Sequence, residues 1–179
     1  MSPFDLTKSI RTVNDFPKPG IKFLDVTSIL ENPEAFKYTV EQLRKICARN
    51  EVYTVVAIDA RGFVWGGAVA NDMRLVLNLA RKPGKLPGEV VTKEYALEYG
   101  TASLSMLKNA PMQGKNIMII DDILATGGTL NAVGELLTEH WGIAPENQIH
   151  TVIASLDFLP GKDFLKQKGY RVESLVSYQ

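Results

Sequence analysis

Residues 117–129 decide the fold, and they read Ile-Met-Ile-Ile-Asp-Asp-Ile-Leu-Ala-Thr-Gly-Gly-Thr. The continuous apolar run at 117–120 is typical of a strand that is buried on both faces. Two carboxylates, Asp121 and Asp122, follow at the carboxyl end of this strand. A turn of small residues then leads into a stretch in which leucine and valine recur at helical spacing. The segment therefore predicts a strand, a turn and a helix in direct succession, with an acid pair where the strand ends.

Strands and helices alternate along the rest of the chain. Apolar and β-branched runs predict further strands at residues 52–58, 75–80, 149–156 and 170–176. Helices are expected at residues 2–13, from Asn32 onward, at 63–71 and from residue 162. Alternation of this kind is typical of a parallel sheet with right-handed crossovers.

Two proline- and glycine-rich segments interrupt this order. Residues 14–20 and 81–88 are both predicted loops, because proline and glycine disfavour regular structure. After the second loop, residues 91–96 and 101–106 are predicted to form a pair of strands.

Composition limits the class of protein. The chain has 179 residues, a length that predicts one domain over residues 1–179. Its 20 Lys and Arg are balanced by 20 Asp and Glu, which argues against a broad basic surface for nucleic acid. The single cysteine excludes a disulfide-stapled fold and a cysteine-rich zinc module. No apolar run reaches the roughly 18 residues of a membrane span, and residues 1–13 lack the apolar core of a signal peptide. We therefore expect a cytoplasmic protein without a membrane or nucleic-acid partner.

The turn after the acid pair has the composition of an anion site. Gly127 and Gly128 allow the backbone to approach a ligand closely. The amides of residues 126–129 are expected at a helix N-terminus, which favours an anion, and Thr126 and Thr129 add hydroxyl donors. Carboxylates repel phosphate, so the acid pair suits sugar hydroxyls or a hydrated Mg²⁺ instead. The segment therefore predicts a site for a sugar phosphate.

Other polar residues are candidates for chemistry. Arg61 follows the predicted strand at 52–58, where α/β sheets bind ligands, and its planar guanidinium suits a polyanion; a surface salt bridge is the alternative. Glu98 is the best candidate for a general acid or base, with an exposed acid at a strand end as the alternative. The loop at 81–88 carries three cations that suit a polyanion or form a solvated face, namely Arg81, Lys82 and Lys85.

Five segments, taken together, resemble the type I phosphoribosyltransferases. They are residues 16–25 (Phe-Pro-Lys-Pro-Gly-Ile-Lys-Phe-Leu-Asp), 59–63 (Asp-Ala-Arg-Gly-Phe), 81–88 (Arg-Lys-Pro-Gly-Lys-Leu-Pro-Gly), 97–100 (Leu-Glu-Tyr-Gly) and 117–129. Their order and spacing are similar to those of the adenine-specific members of this family, from residue 14 to residue 161. The resemblance implies a single α/β domain, in which helices flank a five-stranded parallel sheet and a small hood comes mainly from residues 1–30.

The resemblance also implies an enzyme of purine salvage. The expected reaction transfers the 5-phosphoribosyl group from phosphoribosyl pyrophosphate to adenine, giving AMP and pyrophosphate. Mg²⁺ is the expected cofactor, held mainly through the substrate rather than by direct protein ligands, and a homodimer is the expected assembly. Displacement at the anomeric carbon needs no covalent enzyme intermediate, because positioning, cations on the pyrophosphate and exclusion of water lower the barrier.

Roles for individual residues follow from the same resemblance. The 5′-phosphate is expected to contact Ala125, Thr126, Gly127, Gly128 and Thr129. The ribose is expected to lie against Asp121 and Asp122. Pyrophosphate is expected to contact Ala60, Arg61, Gly62, Arg81, Lys82 and Lys85. Adenine is expected to contact Lys22, Phe23, Leu24 and Leu159. The implied catalytic residues are Glu98 and Arg61, and the implied lid residue is Tyr99.

Two other functions stay open. A transferase for another purine base, xanthine or hypoxanthine, would share the same phosphate site. A regulator that senses phosphoribosyl pyrophosphate without catalysis would also keep residues 117–129, but the presence of Lys82, Lys85 and Glu98 favours an enzyme. Leu24 departs from the arginine that some relatives carry at this position, and leucine cannot make a guanidinium contact to a base.

Overall fold

The computed structural model describes residues 4–16, 18–20, 22–97 and 100–179. These residues form the strands β1 (Arg11–Asn14), β2 (Lys22–Asp25), β3 (Val52–Ile58), β4 (Val76–Ala80), β5 (Val90–Leu97), β6 (Gly100–Leu107), β7 (Asn116–Leu124), β8 (Gln148–Leu156) and β9 (Arg171–Tyr178). The α-helices are α1 (Pro33–Arg49), α2 (Gly62–Met73), α3 (Gly128–Trp141) and α4 (Gly161–Gln167). Short 3₁₀ helices occur at Leu6–Ser9, Val26–Glu31 and Pro145–Asn147.

Five strands form one parallel sheet in the order β4-β3-β7-β8-β9. Helices α1 and α2 pack on one face of this sheet, and α3 and α4 pack on the other. Strand β7 serves both cores, because Met118 and Ile120 contact the first face and Ile117 and Ile119 contact the second. The predicted α/β fold with a five-stranded parallel sheet is therefore confirmed. Within the described part of the chain, no helix is long and apolar enough to cross a membrane.

Strands β5 and β6 form an antiparallel hairpin apart from the main sheet, as predicted. The hairpin packs on α3, where Lys93 forms ion pairs with Glu139 and with Glu135, the latter over 3.1 Å. On its other side, Arg81 and Ser105 exchange two backbone hydrogen bonds of 2.9 and 2.7 Å. The hairpin is therefore attached both to the helix layer and to the end of β4.

The N-terminal segment does not form the helix that was predicted over residues 2–13. Residues 1–3 lie outside the described residues, and the part that follows contains only the short 3₁₀ helix Leu6–Ser9. The Asp5 carboxylate caps this helix by accepting a hydrogen bond of 3.2 Å from the Thr7 N–H. The chain then enters β1, so the helical prediction is wrong beyond the first turn.

Pairing with a distant segment explains this difference. Strand β1 pairs antiparallel with β2, which the sequence did not predict because a four-residue strand shows little periodicity. The Arg11 guanidinium joins the two strands by bonding Asp25 Oδ2 over 2.9 and 3.1 Å and Glu31 Oε1 over 2.5 Å. These contacts span 14 and 20 residues, so no local pattern reveals them.

Other boundaries agree closely with the sequence. Helix α1 begins after Asn32, whose side-chain oxygen accepts hydrogen bonds from the Glu34 and Ala35 N–H groups over 3.0 and 3.2 Å. Strand β3 has the predicted limits. Strand β7 is longer than the predicted 117–120, because pairing with β8 continues through Asp121 and beyond. The acid pair therefore lies inside the strand rather than after it.

Candidate active site

The carboxyl ends of β3 and β7 open into a cleft of about 490 Å³. Helix α2 leaves β3 on one face of the sheet and α3 leaves β7 on the other, so the cleft lies where the crossovers diverge, as ligand sites of α/β sheets do. We call residues 59–62 and 121–129 the floor and the loop at 81–88 with the β5–β6 hairpin the roof, because side chains from each of these segments line the cleft. The described residues that line it are Asp59, Ala60, Arg61, Lys82, Pro83, Tyr95, Ala102, Ser103, Leu104, Asp121, Asp122 and Thr129.

Asp121 and Asp122 form an acid pair in the floor. Asp122 is buried and Asp121 is half-buried, and the Asp122 backbone N–H donates to Asp121 Oδ1 over 2.8 Å. Burial raises the pKa of Asp121 well above its ordinary value, and the charge of Asp122 raises it further. The pair therefore presents carboxyl oxygens in water-poor surroundings, where hydrogen bonds from sugar hydroxyls are strengthened.

Arg61 contacts this acid pair directly. Its Nε donates a short hydrogen bond to Asp122 Oδ2, and the Arg61 side chain is 49% exposed whereas that of Asp122 is 6% exposed. Burial lowers the pKa of Arg61, but the hydrogen bond and charge of Asp122, with the charges of Asp121 and Asp25, raise it above its ordinary value overall. Arg61 thus forms a salt bridge, as the alternative expected, and its partner is a residue that was itself predicted for the site.

Gly62 brings the two halves of the floor together. A Cβ atom at this position would lie 2.5 Å from the Ile120 carbonyl oxygen and 3.4 Å from the Asp121 Cα. Only a glycine therefore allows the first turn of α2 to approach the end of β7 this closely. The peptide bond between Asp59 and Ala60, just before this turn, is cis.

The predicted phosphate loop lies between β7 and α3. Gly127 has a φ of +83°, which a glycine adopts without strain, and Gly128 is the first residue of α3. The loop rests on the first residue of α4, because the Gly161 N–H donates to the Ala125 carbonyl over 3.1 Å and a Cβ at Gly161 would lie 2.2 Å from that oxygen. Of the loop residues, Thr129 lines the cleft and Thr126 is exposed beside it.

The cations of the roof differ in their surroundings. Lys82 is exposed and lines the cleft. Arg81 instead donates from Nε to Asp59 Oδ2 over 3.1 Å and from Nη1 to the Lys85 carbonyl over 3.0 Å, and its guanidinium lies 5.6 Å from the Phe63 ring centroid. The Lys85 side chain is exposed and is not among the described side chains that line the cleft. The structure therefore brings Lys82 to the cleft, while Arg81 folds the loop against Asp59.

The residues expected at adenine are not among the described residues that line the cleft. Lys22 is exposed, and Phe23 and Leu24 are half-buried on β2. The Phe23 ring lies 5.1 Å from that of Phe16, and Leu24 packs against the core on the α1 side. Leu159 is half-buried in the turn that follows β8. The two remaining predictions, Glu98 and Tyr99, fall outside the described residues.

Three polar residues of the cleft were not predicted as site residues. Asp59 was visible as the first residue of the segment at 59–63, and it pairs with Arg81. Tyr95 and Ser103 belong to the hairpin, and they reach the cleft only because the hairpin folds over α3. The sequence offered no signal for these two, because neither belongs to a local pattern with recognisable chemistry.

Known proteins share this fold and these segments. A family model described as a phosphoribosyl transferase domain matches residues 25–154. The adenine phosphoribosyltransferase of Idiomarina loihiensis is 40% identical over 174 residues, which are 97% of each chain. The solved structure of the adenine phosphoribosyltransferase of Thermoanaerobacter pseudethanolicus has a TM-score of 0.86 at 40% identity, covering 97% of this chain and 98% of that one. The APRTase of Giardia lamblia, complexed with 9-deazaadenine, has a TM-score of 0.90 at 34% identity, covering 100% and 99%. The chain therefore belongs to the phosphoribosyltransferase family, in its adenine phosphoribosyltransferase branch.

Proposed function

We propose that this chain transfers the 5-phosphoribosyl group from phosphoribosyl pyrophosphate to adenine, forming AMP and pyrophosphate in purine salvage. The observation that carries this proposal is the meeting of Thr129, the acid pair and Arg61 in one cleft. The adenine phosphoribosyltransferase named above from Idiomarina loihiensis matches nearly the full length of the chain, which supports adenine as the base.

Phosphoribosyl pyrophosphate, the proposed donor, fits the cleft in one orientation. The loop at 125–129 has backbone amides and hydroxyls at the N-terminus of α3, which suit the 5′-phosphate. Asp121 and Asp122 accept hydrogen bonds and suit the ribose hydroxyls. Arg61 and Lys82 are the cations of the cleft and suit pyrophosphate. The rest of the proposed pyrophosphate region comprises Ala60, Gly62, Arg81 and Lys85.

Arg61 changes its partner when the donor binds. In the structure its guanidinium donates to Asp122, and this charge compensates a buried carboxylate. Pyrophosphate carries more negative charge than one carboxylate and has several acceptor oxygens, so it competes for the guanidinium. Once Arg61 turns to pyrophosphate, the Asp122 oxygens are free to accept the ribose hydroxyls. Binding of pyrophosphate at Arg61 is therefore coupled to binding of the ribose hydroxyls at Asp122.

The donor set of the floor fits Mg²⁺. Mg²⁺ prefers oxygen ligands and keeps several of its waters, and the acid pair presents carboxyl oxygens to the cleft. The substrate would supply most of the ligands that hold Mg²⁺ in the site, and Asp121 and Asp122 would face the water molecules bound to the ion. When bound, Mg²⁺ supplies positive charge that neutralises the departing pyrophosphate.

The chemical step is a displacement at the anomeric carbon. A bond forms between an adenine ring nitrogen and C1′ while the C1′–O bond to pyrophosphate breaks, and the electron pair of that bond leaves with pyrophosphate through an oxocarbenium-like transition state. We assign Glu98 to accept the proton that adenine loses. Arg61 and Lys82 stabilise the charge that develops on the leaving group. Tyr99 is assigned to a lid that excludes water, because water would hydrolyse the donor.

Adenine is assigned to the segment next to the floor. Lys22 and Leu24 would bind its edge through backbone groups, and Phe23 and Leu159 would cover its two faces. Asp25, at the end of β2, lies near enough for its charge to act on Arg61, which supports this placement. The β1–β2 pair, with the rest of residues 1–30, would form the hood over the base.

A cytoplasmic homodimer is the proposed assembly. Val64 on α2 and Leu77 on β4 are 40% and 38% exposed, and these neighbouring elements offer apolar surface to a second copy. The single Cys47 is free and buried, which suits a reducing compartment. Light scattering should give twice the 19.8 kDa mass of the chain, and a monomer mass would contradict the dimer.

One assay tests the proposed function. The protein is mixed with Mg²⁺ and phosphoribosyl pyrophosphate, and adenine, hypoxanthine, guanine or xanthine is added separately while pyrophosphate release is followed. Release with adenine alone, together with AMP formation, supports the proposal. Turnover of an oxopurine instead would assign the enzyme to another base. Tight donor binding without turnover of any base would indicate a sensor.

A further inference from the structure

We propose that Tyr95 is a further phosphate-binding residue, whose hydroxyl joins that of Thr129 in donating to the 5′-phosphate of the substrate. The inference rests on the proposed function and adds a residue from the hairpin to a site otherwise built from residues 125–129. Both side chains line the cleft, although they lie on separate elements, β5 and α3.

The distance between the two hydroxyls carries the argument. Thr129 Oγ1 donates a long hydrogen bond of 3.4 Å to Tyr95 Oη. Hydrogen bonds between hydroxyls are ordinarily about 2.5–3.0 Å long, so this one is weak and gives way readily to a stronger, charged acceptor. Each hydroxyl has one proton to donate, and a phosphate oxygen has the lone pairs to accept from both. The pair is therefore arranged for a shared anionic acceptor.

Tyr95 is also held in place by its surroundings. Its half-buried ring packs against the core on the α3 side of the sheet, and the residue is paired with Ala102 across the hairpin. Two positions earlier on the same strand, Lys93 is fixed to α3 by its ion pairs with Glu135 and Glu139. The phenol is therefore carried by a strand that is anchored to the same helix as Thr129, which positions it before the ligand arrives.

The position of Tyr95 on β5 would couple binding of the 5′-phosphate to the position of the hairpin in the roof. Tyr95 lies on the strand that leads to residue 98, the proposed general base. A phosphate bound between Tyr95 and Thr129 would hold β5 against the N-terminus of α3 by two charge-assisted hydrogen bonds. Occupation of the 5′-phosphate site would thus fix the base of the hairpin whose tip acts on adenine. A ligand without a 5′-phosphate would not have this effect.

Tyr95→Phe tests the proposal, because it removes only the hydroxyl and keeps the packed ring. Calorimetric titration should show about tenfold weaker binding of ribose 5-phosphate, which is the ordinary effect of losing a hydrogen bond to a charged group. Binding of Mg²⁺-pyrophosphate should be unchanged, and in steady state KM for the donor should rise more than kcat falls. Tyr38→Phe, on the half-buried Tyr38 of α1, is the matched control and should leave both affinities unchanged.

A second variant distinguishes a shared acceptor from two separate effects. If both hydroxyls donate to one phosphate, the double variant Tyr95→Phe, Thr129→Val should bind ribose 5-phosphate more tightly than the product of the single losses predicts. Wild-type affinity in Tyr95→Phe, or an equal loss for pyrophosphate, would overturn the inference alone. Absence of ribose 5-phosphate and donor binding in the wild-type protein would overturn the proposed function as well.

Discussion

A methyl group added at Gly62, in the floor of the cleft, would lie 2.5 Å from a backbone oxygen, whereas one added at Gly84, in the roof, would meet no atom within 4 Å. Charged side chains show the same contrast in exposure. The Asp122 side chain in the floor is 6% exposed, while Lys82 in the roof is exposed to solvent. The floor is thus close-packed and acidic, and the roof is open and basic.

This difference indicates that the floor and the roof have different roles toward the substrate. The floor is part of the sheet and of the loop that follows it, so its acids and residues 125–129 are in place before any substrate binds. The roof is anchored at Lys93 and Arg81, but Lys82 and Lys85 are exposed and have room to adjust to a highly charged leaving group. Changes in the floor should therefore act on both function and stability, whereas changes in the roof should act on binding or rate and leave stability unchanged.

Glu98→Gln should give the largest effect and test the roof at its tip. Removing a general base commonly lowers the rate by about 10² to 10⁴, so kcat should fall at least a hundredfold while donor affinity stays the same. Steady-state kinetics with adenine and calorimetry with the donor measure the two quantities. Glu94→Gln, an exposed acid on the same strand, is the control. Unchanged turnover with weaker donor binding would remove Glu98 from the chemical step.

Asp122→Asn should give the next largest effect, now in the floor. The amide keeps the shape of the side chain but loses the charge that pairs with Arg61 and that we assign to the ribose hydroxyls, so kcat/KM should fall by about tenfold to a hundredfold. Asp72→Asn removes an acid from an exposed ion pair with Arg44 and should change neither activity nor stability measurably. Full activity in folded Asp122→Asn would exclude this carboxylate from the site.

Gly62→Ala tests the packing of the floor through stability. The added methyl group clashes with the Ile120 carbonyl, so the free energy of unfolding in urea should fall by about 1–3 kcal/mol. Gly67→Ala is the matched control in the same helix, because its Cβ would meet nothing within 4 Å, and it should stabilise the protein by up to about 1 kcal/mol. Equal changes in both variants would show that the floor is not close-packed at Gly62.

Lys82→Ala should give the smallest effect and sharpen the description of the roof. Lys82 lines the cleft, and loss of one charge-assisted contact should weaken Mg²⁺-pyrophosphate binding about tenfold without changing stability. Lys108→Ala is the control, because Lys108 is also exposed and pairs only loosely with Glu89, over 3.3 Å. A loss of stability in Lys82→Ala would mean that the roof depends on this lysine for its structure.

The elements of the chain also differ in how well the sequence predicts them. The floor was predicted because its strand, turn and helix each have a local pattern, and the same holds for α1 and β3. Strands β1 and β2 were not predicted, because they are held by pairing with each other and by an ion pair from Arg11 to Asp25 rather than by a local pattern. The expected helix at 2–13 is wrong for the same reason, since tertiary pairing overrides local propensity.

Within the candidate site, the sequence identified chemical types but not their partners. It predicted Arg61, Asp122 and Lys82 as site residues, and the structure brings them into one cleft. It did not predict that Arg61 pairs with Asp122 or that Arg81 pairs with Asp59, because these partners are 61 and 22 residues apart. The fold decides which ion pairs form, since an arginine can pair with any carboxylate that the fold brings close to it.

By itself, the sequence determined the α/β class and the approximate limits of most buried strands, because these depend on periodicity, and its paired glycines predicted an anion site within residues 117–129. The tertiary structure alone decided that the hairpin lies over α3 and that Tyr95 stands beside Thr129. It also decided that Gly62 and Gly161 act as supports beneath the site. The physical reason is distance along the chain, because local propensity acts over a few residues, whereas packing joins residues whose separation carries no pattern.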